Sequence, residues 1–533
     1  MKFLGNSEGD GRRYTNGSEV TEQMREDLMK RALMGICLTS AVAAMLVAPF
    51  AARAADAALE AKVDSLAKEV ASMKNEGDQK AGKFDWLTIG GDYRFRIDSL
   101  KGTTADHFNF LDPAFQAWMM GPHTTPPPMA KSEDIKNDTI YSNRLGLNLK
   151  AKVTKDVSLT TRFLMYKTFG NSDSDATSGM LFGDRAGQFD GTQGHTPGDD
   201  KLVVDQAYVT WSNIFDQPVW FSVGRRPSTG GIPAHLRADA EKPGNGGIPA
   251  ILVDYAFDGM VLGVAPDFDA LPGAYGKICY GRGYEAGYRY SSIGTKVKDM
   301  DMLGVSLVPI DIDPLYLNLQ WNRGFNIVDA PVMATSAMGP TAPSTNVGDI
   351  DWYGATVLST LKNIGPGTLN VFAAGAGSVT HPNSNLSGGM AGLLYNAGDS
   401  DKSRTGLAAY VGARYDVTAT RTKLGLEYNH GSKYWVAMDP ASDDMWTAKL
   451  GTRGDVFEGY VIQELPGKAV ASYNAKAFFR IGYQYYRFDY TGSNSWMGKP
   501  VKIADLDDSP MNAQMFNPLK NAQDIYGTFE VRF

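Results

Sequence analysis

The sequence predicts an all-β fold, a transmembrane antiparallel β-barrel of about sixteen strands. Three observations lead there: period-two alternation in the last ten residues, its recurrence along the chain, and a regular exchange of short and long connections. In Asp524 to Phe533, one face carries Ile525, Gly527, Phe529, Val531 and Phe533. The other carries Tyr526, Thr528, Glu530 and Arg532. A period of two is a strand. A strand at an open sheet edge needs protection, and closing the sheet into a barrel removes the edge.

The same alternation starts at Leu87. Leu87, Ile89, Gly91, Tyr93, Phe95 and Ile97 interleave with Thr88, Gly90, Asp92, Arg94, Arg96 and Asp98. Leu145, Leu147 and Leu149 interleave with Arg144, Gly146 and Asn148, and Leu159, Thr161 and Phe163 with Ser158, Thr160 and Arg162. Leu315, Leu317, Leu319 and Trp321 face away from Tyr316, Asn318 and Gln320. Phe479, Ile481 and Tyr483 face away from Arg480, Gly482 and Gln484. A single such strand suits a soluble sandwich equally well; the repetition, with turns on one side and loops on the other, favours a membrane barrel.

Short turns fall near 154–156, 213–217, 266–273, 311–313, 363–367, 416–420 and 466–472. Long connections fall near 99–138, 169–201, 227–250, 285–298, 325–350, 380–403, 431–454 and 491–522. The two kinds alternate without a break, which gives an even strand number and places both termini on the short-turn, periplasmic side. A barrel of this size encloses water rather than a filled core. Gly- and Pro-rich stretches of the long loops, such as 122–128 and 230–249, are expected to fold inward and narrow it.

Composition agrees. The 533 residues are 43% apolar and 11% aromatic, with 58 glycines, which suits a large β structure better than a helical one. A net charge of −7 spread along the chain, without a basic tract, gives no footing for nucleic acid. Of the two cysteines, Cys37 lies in a segment expected to be removed, so Cys279 has no disulfide partner. No CxxC, CxxCH or HExxH occurs, and no cofactor or metal site is expected. The histidines His107, His123, His195, His235, His381 and His430 read as solvated loop side chains.

Ahead of the barrel, residues 1–28 are polar and aperiodic and read as a gene-model extension, with Met29 as the start. Met29-Lys30-Arg31, the apolar run from Ala32 to Val47 and the small residues Ala52 and Ala54 make residues 29–54 a signal peptide. In 55–82, Leu59, Val63, Leu66, Val70 and Met73 carry a heptad spacing, so this segment reads as a short periplasmic coiled coil followed by a linker. The barrel then occupies 83–533.

Two resemblances add to this. The terminal strand ending on Phe533 resembles the assembly signal of bacterial outer-membrane barrels, which implies the barrel assembly machinery as a partner. The stretches GGDYRFRIDSLKGT (90–103), NRLGLNLKAKVTKDVSLTTRFLMYK (143–167), VDQAYVTWSNIFDQPVWFSVGRRPSTGGIPAHLR (204–237), VDYAFDGM (253–260) and LPGAYGKICYGRG (271–283) resemble a porin-like outer-membrane family of unknown function from metal- and sulfur-reducing bacteria. That resemblance implies a barrel in the outer membrane, against lipid and lipopolysaccharide, and supplies no catalytic residues.

Parity names the candidate pore-lining residues: Asp92, Arg94, Arg96, Arg144, Arg162, Arg226, Arg414, Glu427 and Arg480. Lys150, Lys423, Arg532, Asp98 and Glu530 share those faces, so the wall reads as basic although the chain is acidic. Gly281 to Ala286 fits GxGxxA, but no βαβ unit surrounds it. Asp173 with Asp175, Asp443 with Asp444, and Asp505 with Asp507 and Asp508 read as solvated acidic loops rather than cation sites. No nucleophile, base and orienter assemble from the sequence, so no enzymatic activity is expected. The expectation is a channel for passive passage of small hydrophilic solutes with mild anion preference. The alternative is a sheath around a multihaem cytochrome, forming an electron conduit. A homotrimer is the expected assembly.

Overall fold

The computed structural model describes residues 85–171, 194–244, 247–287, 297–330, 342–472 and 474–533. The chain divides into units 1–48 and 49–533, and every described residue belongs to the second. The expected gene-model extension, signal peptide and coiled coil lie outside the described residues.

Sixteen antiparallel strands close into one barrel. They are β1 (Leu87–Thr104), β2 (Asp134–Lys152), β3 (Val157–Thr168), β4 (Val203–Trp211), β5 (Val219–Arg226), β6 (Phe257–Val264), β7 (Tyr275–Tyr284), β8 (Met300–Ile312), β9 (Leu315–Val328), β10 (Asn346–Ile364), β11 (Gly367–Pro382), β14 (Thr405–Val417), β15 (Thr422–Gly431), β16 (Gly454–Glu464), β17 (Lys476–Phe488) and β18 (Leu519–Arg532). A two-stranded hairpin of β12 (Ala391–Gly392) and β13 (Tyr395–Asn396) and a helix α1 (Pro113–Met120) sit in long loops. Each wall strand pairs with its chain neighbours, as hairpin connections demand. The one non-sequential pair is β1 with β18, in register from Asp92 opposite Arg532 to Thr103 opposite Asn521.

Alternation sets which side chain faces where. In β17, Ile481 is 65% exposed while its neighbour Arg480 is 5% exposed. Ile89, Leu262, Ile278, Leu319, Leu426 and Ile525 likewise stand outward, forming the apolar outer surface that a lipid-facing wall requires. Backbone groups at hydrocarbon depth must be satisfied internally, and closure of the sheet does this. No described helix is long and apolar enough to cross a membrane. The architecture is that of an outer-membrane porin-like barrel.

At the seam, the Phe533 amide donates to the Gly91 carbonyl at 3.0 Å, and the Gly91 amide returns a bond to the Phe533 carbonyl at 2.9 Å. A Cβ on Gly91 would meet the Gly146 carbonyl of β2 at 2.5 Å and the Phe533 ring at 2.7 Å, so glycine suits this position on both counts.

The interior is not an open tube. Two long loops fold into it: strap A, residues 227–256, and strap B, residues 432–453. Their apolar residues are the reason. Ile232, Leu236 and the run Ala250 to Val253 of strap A, with Trp435, Val436 and Met438 of strap B, are buried against the inward faces of β8 to β11. Trp352 of β10 donates its indole N–H to the Val436 carbonyl at 2.7 Å. Trp435 does the same to the Leu450 carbonyl at 2.8 Å, closing strap B on itself. Strap B passes so near β14 that a Cβ on Gly406 would meet the Tyr434 backbone at 2.3 Å.

The straps are joined to each other. Val253 and Met438 form a parallel bridge. The Asp254 amide donates to the Met438 carbonyl at 2.8 Å, and the Ala441 amide donates to the Asp254 carbonyl at 3.0 Å.

Candidate functional site: an arginine-rich lumen cavity

Between the straps and the wall formed by β1 to β4, β17 and β18 lies a cavity of about 290 Å³. Six of the nine parity-derived residues line it: Asp92, Arg94, Arg96, Arg144, Arg162 and Arg480. Their strand positions bring them together, because β1 has β2 on one side and β18 on the other. Arg94 stands directly opposite Arg144.

These cations are held by carboxylates. Arg94 grips Asp443 with both terminal nitrogens, Nη2 to Oδ1 at 2.8 Å. Arg96 donates Nε to Asp98 Oδ1 at 2.6 Å, Nη2 to Asp524 Oδ2 at 3.1 Å, and Nη1 to the Asp443 carbonyl at 3.2 Å. Arg162 donates to Asp92 at 2.6 Å and to Asn148 at 2.7 Å. Arg480 donates to Glu530 at 2.8 Å and to the Arg237 carbonyl at 2.6 Å. Arg144 is held more loosely, with Nη2 3.6 Å from Asp92 and Nη1 3.9 Å from Asp443.

The other three candidates lie elsewhere. Arg414 donates to the Leu236 carbonyl at 2.6 Å and reaches Asp239 at 3.3 Å, fastening strap A to β14. Glu427 accepts from Tyr410 at 2.6 Å and pairs with Lys449 of strap B. Arg226 lines a separate cavity of about 40 Å³ with Cys279, its guanidinium 5.2 Å from the Tyr208 ring centroid.

Loop residues that parity could not name complete the site. Asp443 and Asp444, read from sequence as solvated, are enclosed in the lumen. Arg237 of strap A donates to Asp444 at 2.6 Å and Glu458 at 3.2 Å. Lys449 reaches Glu458 at 2.5 Å. Strap A is also tied down by Asp239, which accepts from Lys423 and Lys476, both at 2.6 Å. The sequence signal was present: Asp443 and Asp444 lie between Trp435-Val436 and Met445-Trp446, an apolar setting unlike that of a solvated loop.

His123 and His381 are exposed, as expected, and the other four histidines depart from expectation. His107 and His235 are buried, His195 sits 2.6 Å from Asp205, and His430 2.7 Å from Asp455. The Asp505, Asp507 and Asp508 group is exposed, as expected. Among the described residues, no group of three or more His, Cys, Asp or Glu side chains is arranged to hold a metal ion.

Burial and charge divide the strap carboxyls into two kinds. Burial alone would raise Asp443, but Arg94, Arg96 and Arg144 outweigh it and hold the group well below the usual carboxylate range. Arg237 and Lys449 overcome burial in the same way at Asp444. At Asp254 burial outweighs His195, the Gly230 amide and Arg237 and pushes the carboxyl up to about 7. Asp439 is driven well above the ordinary value by burial and then by Asp254 and Asp444. Burial, with Arg414 and Lys242 nearby, drives the His235 imidazole down to about 3.

A closed sixteen-strand wall, apolar outside and charged within, defines a porin-like outer-membrane β-barrel protein. The chain belongs to the DUF3373 family, a family of unknown function, whose profile matches residues 134–533. No curated protein matches the sequence. Among solved structures, OprB of Pseudomonas putida is 13% identical, with a TM-score of 0.40 over 87% of this chain and 97% of that one. An anion-selective porin from Comamonas acidovorans is 10% identical, with a TM-score of 0.40 over 84% and 99%. OmpF of Salmonella typhi is 9% identical, with a TM-score of 0.39 over 83% and 97%.

Proposed function

We propose that the protein is a constricted outer-membrane channel for passive passage of small hydrophilic solutes, with a preference for anions. The arginine-rich cavity carries this reading. Its lining holds Arg94, Arg96, Arg144, Arg162, Arg237, Arg480 and Arg532 against Asp92, Asp205, Asp254, Asp443 and Glu530. Within that lining seven guanidiniums stand against five carboxylates, while Asp98, Asp524, Asp444 and Glu458 outside it pair with Arg96 and Arg237 and cancel further wall charge. Charges lining a low-dielectric passage focus the field and concentrate counter-ions. Guanidinium forks match carboxylate and phosphate oxygens. The nine parity-derived residues divide accordingly: six line the route, Arg414 and Glu427 anchor the straps, and Arg226 stands apart.

Straps packed into the lumen favour a channel over a sheath, because a cytochrome would need the space they fill. Lipid, lipopolysaccharide and the barrel assembly machinery are the partners this reading requires, with both termini periplasmic; a homotrimer is compatible with it but not required by it.

The test is the reversal potential of the purified protein in a planar bilayer across a potassium chloride gradient. Anion preference is expected, strongest at low salt, where screening is weakest. Cation preference at low salt would place control of the field in the acidic loops and overturn the reading. Large ionic steps without added cytochrome are expected as well; haem that co-purifies with a silent barrel would support the sheath instead.

A further inference from the structure

The most informative contact in the lumen is the one between the wall and Asp443. Arg94 and Arg144 are directly opposed across β1 and β2, and like charges so placed destabilise a sheet. Arg96 adds a third guanidinium from the same face of β1. The wall supplies Asp92, Asp98 and Asp524, and Asp92 lies nearest Arg144, yet the anion that grips Arg94 and reaches all three guanidiniums comes from strap B. One carboxylate takes both terminal nitrogens of Arg94 and lies 3.9 Å from both Arg96 Nη1 and Arg144 Nη1. The Arg94 guanidinium is also positioned over the Tyr166 ring, 5.1 Å from its centroid, which fixes its fork with or without the strap. Asp443 and all three arginines line the 290 Å³ cavity, so a solute there meets the trio directly.

We propose that Arg94, Arg96 and Arg144 form a binding site for a small carboxylate-bearing anion, and that Asp443 occupies it as a built-in competitor. The side chain of Asp443 shows the chemistry the site accepts, since its end is in effect an acetate ion. An incoming carboxylate exchanges with it one for one, so the trio is never left without an anion, while the displaced Asp443 side chain, already 24% exposed, turns to the water of the cavity. Arg144, held only by the longer contacts at 3.6 and 3.9 Å, is the guanidinium most ready to take a new partner. Release of Asp443 frees one attachment of strap B, while Trp435, Trp352 and Lys449 keep the rest in place. The site thus couples occupancy by an anionic solute to the width of the route. The proposal deepens the channel reading by naming a solute class, but the binding itself requires no conductance.

Equilibrium binding of malonate to the detergent-solubilised, folded full chain tests it, by titration calorimetry at low ionic strength. Wild type should bind weakly. Asp443→Asn removes the competitor and should tighten binding at least tenfold, whereas Asp443→Glu should stay near wild type. Arg144→Gln should abolish malonate binding in either background. Because Arg144 makes no short contact with the strap, that variant keeps the test meaningful if Asp443→Asn does not fold. Equal affinity in wild type and folded Asp443→Asn, or binding that survives Arg144→Gln, overturns the proposal. A silent bilayer with the calorimetric pattern intact would instead count against the channel reading alone.

Discussion

Asp254 is a strap residue whose carboxyl departs from ordinary aspartate behaviour. It sits at the junction of the two straps, facing His195, Arg237, Asp439 and Asp444, with its carboxyl raised from 3.8 to about 7 by burial. The unfolded chain loses this proton near pH 4. Between about pH 4 and pH 7 the folded protein therefore holds a proton that the unfolded chain has released, and stability falls as pH rises through that window. Asp443 and Asp444, with lowered values, act in the opposite direction and only in more acid solution. Asp254→Asn should leave stability near pH 4 almost unchanged and raise it progressively up to pH 7, with the gain level above that. Thermal unfolding of the two proteins in detergent across this range checks it; a constant difference at every pH would refute the protonated assignment. Parity in the sequence sufficed to point Arg94, Arg96 and Arg480 inward, because a strand has only two faces. It was silent about Asp443, Asp444 and Arg237, since a loop has no period from which to infer a direction. Their aromatic and apolar neighbours were the better guide, and reading them as solvated overlooked it.

At the scale of elements, the strands were legible because each repeats one physical requirement, apolar outward and polar inward, for eight residues or more. The turns were legible because short connections can join only adjacent antiparallel strands. The straps were not: expecting inward folding from Gly and Pro content identified strap A by composition, whereas strap B goes inward on the strength of tryptophans. The terminal strand carries a prediction of its own. Phe533 contributes two backbone hydrogen bonds and a ring contact at Gly91. If it also serves as the recognition residue for assembly, deleting it should lower the yield of folded barrel in outer-membrane fractions and increase periplasmic aggregates. Heat-modifiable mobility on gels reads the folded fraction. Gly91→Val should lower the folded yield as well, since its side chain would meet both the Gly146 carbonyl of β2 and the Phe533 ring, while leaving the terminal residue intact. Normal folded yield after deletion of Phe533 would remove the assignment.

For the whole molecule, the wall and its contents are separable. Strand pairing runs all the way around the barrel, with register shifts in several pairs, and wall side chains hold the straps to the inner faces. Replacing residues 434–450 with a short Gly-Ser turn should therefore leave a closed barrel and raise single-channel conductance several-fold, with weaker ion selectivity because mobile ions screen the wall charge in a wider route. Conductance at the wild-type level would show that strap B does not narrow the route. The seam has a further bearing on how such a molecule comes into being. Every wall pair except β1 with β18 is brought together by a local connection, so this pair closes the longest loop of chain and on contact-order grounds forms last. Strap B holds both sides of it from within, through Asp443 on Arg94 of β1 and through the Trp446 indole on the Gln523 carbonyl of β18. A plug that grips both lips of the seam acts as an inner splint, tying its two strands together from within the lumen.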